Sequence, residues 1–167
     1  MSISHVKTKK IIFNSRHVCG RIFDYFKKIL DTNISIPTEL NYLQEKYLDE
    51  ASKLFKNDKK YVGFSITAGH PTRKKEISLK TIVEVANYFS DKNFVPTFFI
   101  EEKYEDKINT IKTMVKNSYF PEHFVKSSLR NPFLVIAMGK KLHSAISINN
   151  GILHMLGLAG TKTAVFF

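Results

Sequence analysis

The spacing of apolar residues changes near residue 60. Before it, apolar side chains recur every three or four residues, as along one face of an α-helix. This pattern predicts one helix from about Arg16 to Leu30 and a second that begins near Pro37, a favourable first helical position. A polar connection follows at Asn57–Lys60. We therefore expect residues 1–58 to form a helical segment.

After residue 60, short apolar runs alternate with amphipathic segments. The runs predict strands at Tyr61–Ile66, Phe94–Ile100, Ser118–Phe120, Ser144–Ile148 and Thr163–Phe167. The segments between them predict helices after a Ser78 cap, over Glu105–Lys116, from Pro132 and over Gly151–Ala159. Strand alternating with helix is typical of a mostly parallel sheet covered on both faces. We predict an α/β, Rossmann-like doubly wound domain over residues 59–167, truncated at the C-terminus because no segment covers its last apolar strand.

The composition indicates the cellular environment of this domain. One cysteine among 167 residues excludes a disulfide scaffold, and no apolar run approaches the roughly 20 residues of a membrane-spanning helix. The sequence therefore indicates a soluble, cytoplasmic protein. The formal net charge of +11 comes from scattered lysines, with only four arginines. Such lysines are typical of a solvated surface; the alternative is attraction to anions, whether phosphates, nucleic acid or an acidic membrane face.

Polar residues follow three of the predicted strands, where ligands bind in open α/β sheets. The strongest pattern is Ser147–His154, in which a strand runs through Asn149, Asn150 and Gly151 into a helix. Such a helix start directs backbone N–H groups and a positive helix end at an anion such as a pyrophosphate. Gly151 permits close approach, and His154, three residues later, faces the same spot. The alternative is that His154 is a structural hydrogen-bonding residue.

The other two strand ends give weaker signals. The loop from Thr67 to Lys75 carries basic residues before the next helix, and lysine there can bind a phosphate, although a solvated basic loop has the same pattern. Glu101 and Glu102 follow the second strand, where an acid commonly binds ribose hydroxyls. The alternative for these acids is a favourable charge at the start of the helix at Glu105.

The sequence lacks the motifs of several common kinds of binding and catalytic site. Cys19 stands alone in the sequence and the histidines show no metal-ligand spacing, so no metal is expected. There is no Gly-x-Gly-x-x-Gly fingerprint, which argues against a dinucleotide oxidoreductase, and no Walker loop or Gly-x-Ser-x-Gly elbow. We expect no cofactor.

Two stretches together resemble the C-terminal domain of the family nine glycosyltransferases, the heptosyltransferase family of lipopolysaccharide assembly. Lys75–Leu79, with the helix that runs on to Phe89, is similar to the Lys-x-Trp-Pro segment of that family. Ser147–Gly157, running on to Phe166, resembles its Asp-[Ser/Thr]-Gly-x-x-His motif and the strand that ends in Phe-Gly.

The resemblance covers the chain from about residue 61 onward. It implies one half of a two-domain, B-type glycosyltransferase that binds a nucleotide-diphosphate sugar donor, with residues 1–58 as the inter-domain segment. It implies that Lys75 binds donor phosphate, Glu102 the ribose, and Asn150 and Gly151 the pyrophosphate, which His154 faces. The residues that it assigns to donor binding are Thr67, Lys75, Glu102, Asn149, Asn150, Gly151 and His154.

The resemblance also implies partners outside this sequence. The acceptor would be a lipid-linked glycan held by an N-terminal domain that this sequence lacks, with peripheral contact to the anionic inner face of the bacterial inner membrane. That domain supplies the carboxylate taken as the general base, so no catalytic residue is assigned here. Two further departures are Asn149, where the family has Asp, and Ile77–Ser78, where it has Trp-Pro.

Three hypotheses follow. The leading one is a heptosyltransferase-like glycosyltransferase that transfers sugar to a lipopolysaccharide or related glycan acceptor. The second is a degenerate or accessory nucleotide-binding module without turnover, suggested by Asn149 and the missing half. The third, a basic nucleic-acid-binding protein, rests on the +11 charge alone, and we expect no nucleic-acid partner.

Overall fold

A central strand with neighbours on both sides organises the molecule. The computed structural model describes residues 18–31, 43–68 and 77–166. Its elements in chain order are α1 (Val18–Leu30), α2 (Glu45–Leu54), β1 (Lys60–Ser65), α3 (Leu79–Asp91), β2 (Phe94–Phe98), α4 (Glu105–Met114), 3-10 turns at Pro121–Phe124 and Ser127–Leu129, α5 (Pro132–Gly139), β3 (Leu142–Ile148), α6 (Gly151–Leu158) and β4 (Thr163–Phe166).

The four strands form one parallel sheet in the order β2-β1-β3-β4. Val62, in the middle of β1, lies opposite Pro96 of β2 on one side and Ser144 of β3 on the other. The chain therefore moves outward from β1 to β2, then returns to place β3 and β4 on the opposite side. This reversal is the topological switch point of a doubly wound sheet, so the predicted fold class is confirmed.

Helices cover both faces of β1. Successive side chains of a strand point to opposite faces, and Val62 and Phe64 are fully buried on the face covered by α3 and α4. Tyr61 points the other way, packs against the Phe55 ring and belongs to the core on the face covered by α2, α5 and α6. Burial on both faces explains why Tyr61–Phe64 is a continuous run without polar side chains instead of an alternating one.

Polar side chains fix where three helices begin. The Ser78 hydroxyl accepts a hydrogen bond from the Thr81 N–H at 3.1 Å, which confirms the predicted cap of α3. The Asn131 side chain accepts from the Phe133 N–H at 2.9 Å, and Pro132 occupies the first position of α5. Asn150 caps α6 in the same way.

The structure differs from the predicted elements around residue 120. The predicted strand Ser118–Phe120 is a single parallel bridge between Tyr119 and Thr97. The Tyr119 backbone bonds to Pro96 and Phe98 of β2, and Pro121 then begins a 3-10 turn that carries the backbone out of strand geometry. Neither 3-10 turn was predicted.

The chain divides into two units, Met1–Glu39 and Leu40–Phe167. In the first, α1 carries Ile22, Phe26 and Ile29 at helical spacing, as predicted. In the second, α2 packs on α5, while its predicted start near Pro37 lies outside the described residues. The division into 1–58 and 59–167 stays a prediction. No helix within the described ranges is long and apolar enough to cross a membrane.

Candidate functional site

Asn150 joins β1 to the start of α6 at the switch point. Its Oδ1 accepts a hydrogen bond from the Leu153 N–H at 3.0 Å and caps the helix. Its Nδ2 donates to the buried Ser65 Oγ at 2.8 Å and to the Thr67 carbonyl oxygen at 3.1 Å. The side-chain amide is therefore engaged on both sides, and it holds the first turn of α6 against the end of β1.

The first turn of α6 points open backbone donors at the same place. Helix geometry leaves the N–H groups of Gly151 and Ile152 without an intrahelical acceptor, and the Asn150 cap serves Leu153 instead. A Cβ added to Gly151 would meet nothing within 4 Å, so a ligand can approach this backbone closely. The positive end of the helix dipole adds to the attraction for an anion.

The remaining predicted residues of this segment lie around the helix start. Asn149 and His154 are both exposed, and His154 follows Gly151 by one helical turn on the same side. Thr67 is buried, and its carbonyl oxygen is an acceptor for Asn150. The structure therefore brings together the end of β1 and the start of α6. Lys75 lies outside the described residues.

Glu102 lies further along the carboxyl edge, the edge of the sheet at which the strands end. Its Oε1 accepts a hydrogen bond from Arg130 Nη1 at 2.8 Å, an ion pair that sequence spacing did not indicate. Both residues line the carboxyl-edge cleft, a space of about 330 Å³ between the end of β2, the first 3-10 turn and the first turns of α5 and α6. Ile152 of α6 lines it too, so the cleft opens beside the candidate anion site.

A third acid in this cleft, Glu122, was missed by sequence reasoning. Burial raises the pKa of the Glu122 carboxyl above its ordinary value, with Arg130 acting in the opposite direction and Glu101 in the same direction. The sequence signal for it was weak, because Glu122 follows Pro121 in a turn that has no helical or strand period. Among the described residues, no group of three or more His, Cys, Asp or Glu side chains could hold a metal ion.

A larger cleft lies at the amino edge, where β1 and β2 begin. Its volume is about 680 Å³, and Lys53, Lys56 and Lys59 line it beside Asp58. Tyr119 forms part of its wall; its hydroxyl donates to the Leu54 carbonyl oxygen at 2.9 Å, and burial raises its pKa.

These observations define an α/β domain with helix N-termini and a cleft, lined by apolar and charged side chains, at the carboxyl edge of its parallel sheet. No protein-family model matches the chain, and no curated protein matches it significantly. Solved structures share the fold. A family 9 glycosyl transferase from Veillonella parvula matches with a TM-score of 0.73 at 15% identity, over 94% of this chain and 45% of that protein.

The second similar structure is the Escherichia coli ADP-heptose lipopolysaccharide heptosyltransferase II. It matches with a TM-score of 0.58 at 12% identity, over 78% of this chain and 41% of that protein. The chain therefore spans less than half the length of either protein. At these identities the comparison establishes the fold, and the predicted resemblance to family nine is confirmed at that level.

Proposed function

We propose that the carboxyl edge binds the diphosphate of a nucleotide-sugar donor, and that this chain is the donor-binding half of an inverting glycosyltransferase. The observation that supports it most is the α6 start, where open backbone donors at Gly151 are fixed by Asn150 across the switch point. Ligands of open α/β sheets bind at this position, and the fold is shared with glycosyltransferases.

Each predicted residue receives a role in this proposal. The diphosphate lies at the N–H groups of Gly151 and Ile152, with His154 beside it and the Lys75 ammonium as a cation. Glu102 accepts hydrogen bonds from the ribose, and Asn149 borders the sugar diphosphate. Asn150 and Thr67 act by holding the helix start in place, since the Asn150 side chain bonds to Thr67 and Leu153.

The proposed reaction is a displacement at the anomeric carbon of the sugar. An acceptor hydroxyl oxygen forms the new C–O bond while the bond from the anomeric carbon to the diphosphate oxygen breaks, and the electron pair stays on that oxygen. The acceptor proton goes to a base in another part of the enzyme. The N–H groups of the helix end and Lys75 stabilise the negative charge that develops on the leaving diphosphate.

The proposal also covers the identity of the donor sugar and of the acceptor. The donor sugar is a heptose and the acceptor a lipopolysaccharide-type glycan, bound through a second domain. Such an acceptor places the enzyme in the cytoplasm, in peripheral contact with the anionic inner membrane. The +11 charge supports that contact.

The direct test is calorimetric titration of the chain with ADP, GDP, UDP, CDP and inorganic pyrophosphate. We expect one nucleoside diphosphate to bind more tightly than pyrophosphate. Lys75→Ala should lower the affinity for that nucleoside diphosphate roughly tenfold, because a charge-assisted contact is lost. Absence of binding by all five compounds would contradict the proposal. Unchanged affinity in Lys75→Ala would remove Lys75 from the site.

A second candidate is an accessory module that binds a nucleotide without transfer. Asn149 favours it, because an amide stands where family nine has a carboxylate. The two are separated by assaying the complete gene product for sugar transfer from nucleotide sugars. Sugar transfer excludes the accessory module. Binding of the nucleotide sugar with neither sugar transfer nor hydrolysis of the donor supports it.

A further inference from the structure

Arg130 is held firmly at the wall of the carboxyl-edge cleft. Its Nε donates to the Val125 carbonyl oxygen at 2.9 Å, and its side chain is 32% exposed. The next residue, Asn131, caps α5 and donates from Nδ2 to the Tyr47 hydroxyl at 2.8 Å, which anchors this segment to α2. The protein backbone therefore holds the guanidinium at Nε, independently of the bond from Nη1 to Glu102.

Glu102 is much less constrained. It lies beyond the end of β2, and its side chain is 60% exposed. The 2.8 Å bond from Arg130 Nη1 occupies Oε1 and leaves Oε2 able to accept from a ligand. An ion pair this exposed adds little to folding stability, so its larger effect is to hold the carboxylate in one orientation.

The surrounding charge gives the arginine a second effect. Glu101, Glu102 and Glu122 all line the carboxyl-edge cleft beside α6. Carboxylates grouped near a bound diphosphate repel it, and a guanidinium among them reduces that repulsion. Loss of Arg130 would therefore release Glu102 and also leave this wall more negative.

We propose that Arg130 is a positioning residue that holds the Glu102 carboxylate so that Oε2 accepts a hydrogen bond from the ribose 2′-hydroxyl, which makes the site selective for ribonucleotides. This inference rests on the proposed nucleotide-donor function. It assigns to this chain a specificity determinant 28 residues away from Glu102 in sequence.

The test compares two ligands across four variants. The nucleoside diphosphate that binds best in the calorimetric panel and its 2′-deoxy analogue are titrated into the wild-type chain, Arg130→Gln, Arg130→Lys and Glu102→Gln. We expect the wild type to prefer the ribonucleotide about tenfold. The preference should fall below about threefold in Arg130→Gln and Glu102→Gln, and Arg130→Lys should retain part of it because lysine keeps the charge but not the planar fork.

Lys116→Gln is the matched control, because Lys116 forms an exposed ion pair with Asp91 at 3.2 Å, away from the cleft. It should keep the wild-type preference. A wild-type preference in Arg130→Gln, or equal binding of both ligands to the wild-type chain, overturns the inference while the proposed function survives. If no nucleoside diphosphate binds the wild type, both fail. If Arg130→Gln does not fold, Arg130→Lys serves as the test. A preference for the ribonucleotide below that of the wild type supports the inference, and an unchanged preference overturns it.

Discussion

The two edges of the sheet differ in a way that cavity size does not reveal. The amino-edge cleft is about twice as large and carries three lysines, whereas the carboxyl-edge cleft is smaller and lined by acids. Helix direction separates them: α3, α4 and α6 each follow a strand, so their N-termini point to the carboxyl edge and their C-termini to the amino edge. Lysines at helix C-termini, such as Lys53 and Lys112, complement the helix dipole without any ligand.

The comparison gives a reason to expect an anion at the carboxyl edge: the direction of the peptide dipoles favours it there, although the other cleft is larger and carries more lysines. The first turn of α6 at the carboxyl edge has N–H groups with no intrahelical acceptor, while at the amino edge Lys53 lies in the last turn of α2, where a cation offsets the negative helix end. The predictions below therefore pair each change at the carboxyl edge with a counterpart at the amino edge or elsewhere in the same element.

Removal of Asn150 should have the largest effect. Asn150→Ala removes the cap of α6 and leaves the buried Ser65 hydroxyl without the donor it meets at 2.8 Å. We expect a loss of about 2 kcal/mol of unfolding free energy and, because the helix start shifts, a rise of at least about tenfold in the dissociation constant for the nucleoside diphosphate. Chemical denaturation and calorimetry measure the two effects.

Asn87→Ala is the counterpart of this change at the amino edge. The Asn87 side chain donates to the Met114 carbonyl oxygen at 2.8 Å and accepts from the Lys116 N–H at 3.0 Å, so it also joins two elements. Its loss should lower stability by about 1 kcal/mol and leave nucleotide affinity unchanged. Equal loss of affinity in both variants would mean that Asn150 acts only through global stability.

Gly151→Ala should weaken binding without destabilising the protein. The position has open space around it and alanine favours a helix, so the unfolding free energy should stay the same or rise slightly. A methyl group there obstructs the backbone N–H groups, and we expect roughly tenfold weaker binding by calorimetry. Gly157→Ala, in equally open space within the same helix, should leave the affinity intact; weaker binding there too would argue against a site at the helix start.

Glu122→Gln should alter the dependence of stability on pH. Burial raises the folded-state pKa of this carboxyl above 4.5, so the folded protein holds the proton more tightly than the unfolded chain. Stability must therefore fall as the pH rises from about 4.5 through the raised pKa, and the glutamine variant lacks this fall. The advantage of Glu122→Gln over wild type in denaturation should grow with pH across that range.

The control for this prediction is Glu84→Gln, which changes an exposed acid on α3. The change of stability with pH in Glu122→Gln is compared with that in this variant. A difference between Glu122→Gln and wild type that does not grow with pH would show that burial of the Glu122 carboxyl has no thermodynamic consequence.

The smallest effect is expected from the lysines of the amino-edge cleft. Lys56→Ala combined with Lys59→Ala should change the affinity for nucleoside diphosphate by less than about twofold, since neither residue lies at the carboxyl edge. Calorimetry at two salt concentrations checks this. A large, salt-dependent loss of affinity would move the anion site to the larger cleft.

Most of the fold could be predicted from the sequence, because helix starts and buried strands are marked by short local patterns of residues. Ser78, Pro132 and Asn150 stand where helices begin, and continuous apolar runs indicate strands buried on both faces. The stretch around Tyr119 was harder, since a single bridge and two short 3-10 turns have no period to detect.

The candidate site was readable only in part. The sequence indicated the segment from Asn149 to His154, because a strand, a glycine and a helix start are contiguous there. It did not indicate the bonds from Asn150 to β1 or the pairing of Arg130 with Glu102, which join residues 28 to 85 positions apart. Such contacts depend on the tertiary path of the chain and have no local pattern.

The bonds from Asn150 to β1 also bear on the order in which the protein folds. They close loops of 85 and 83 residues, and the entropic cost of such closures favours local structure first. On the ribosome, β1, α3 and β2 emerge well before α6, so this region can begin to fold before the proposed anion site has formed. Binding competence should therefore appear only when β3 and α6 have docked, which makes a bound anion a reporter of completed folding.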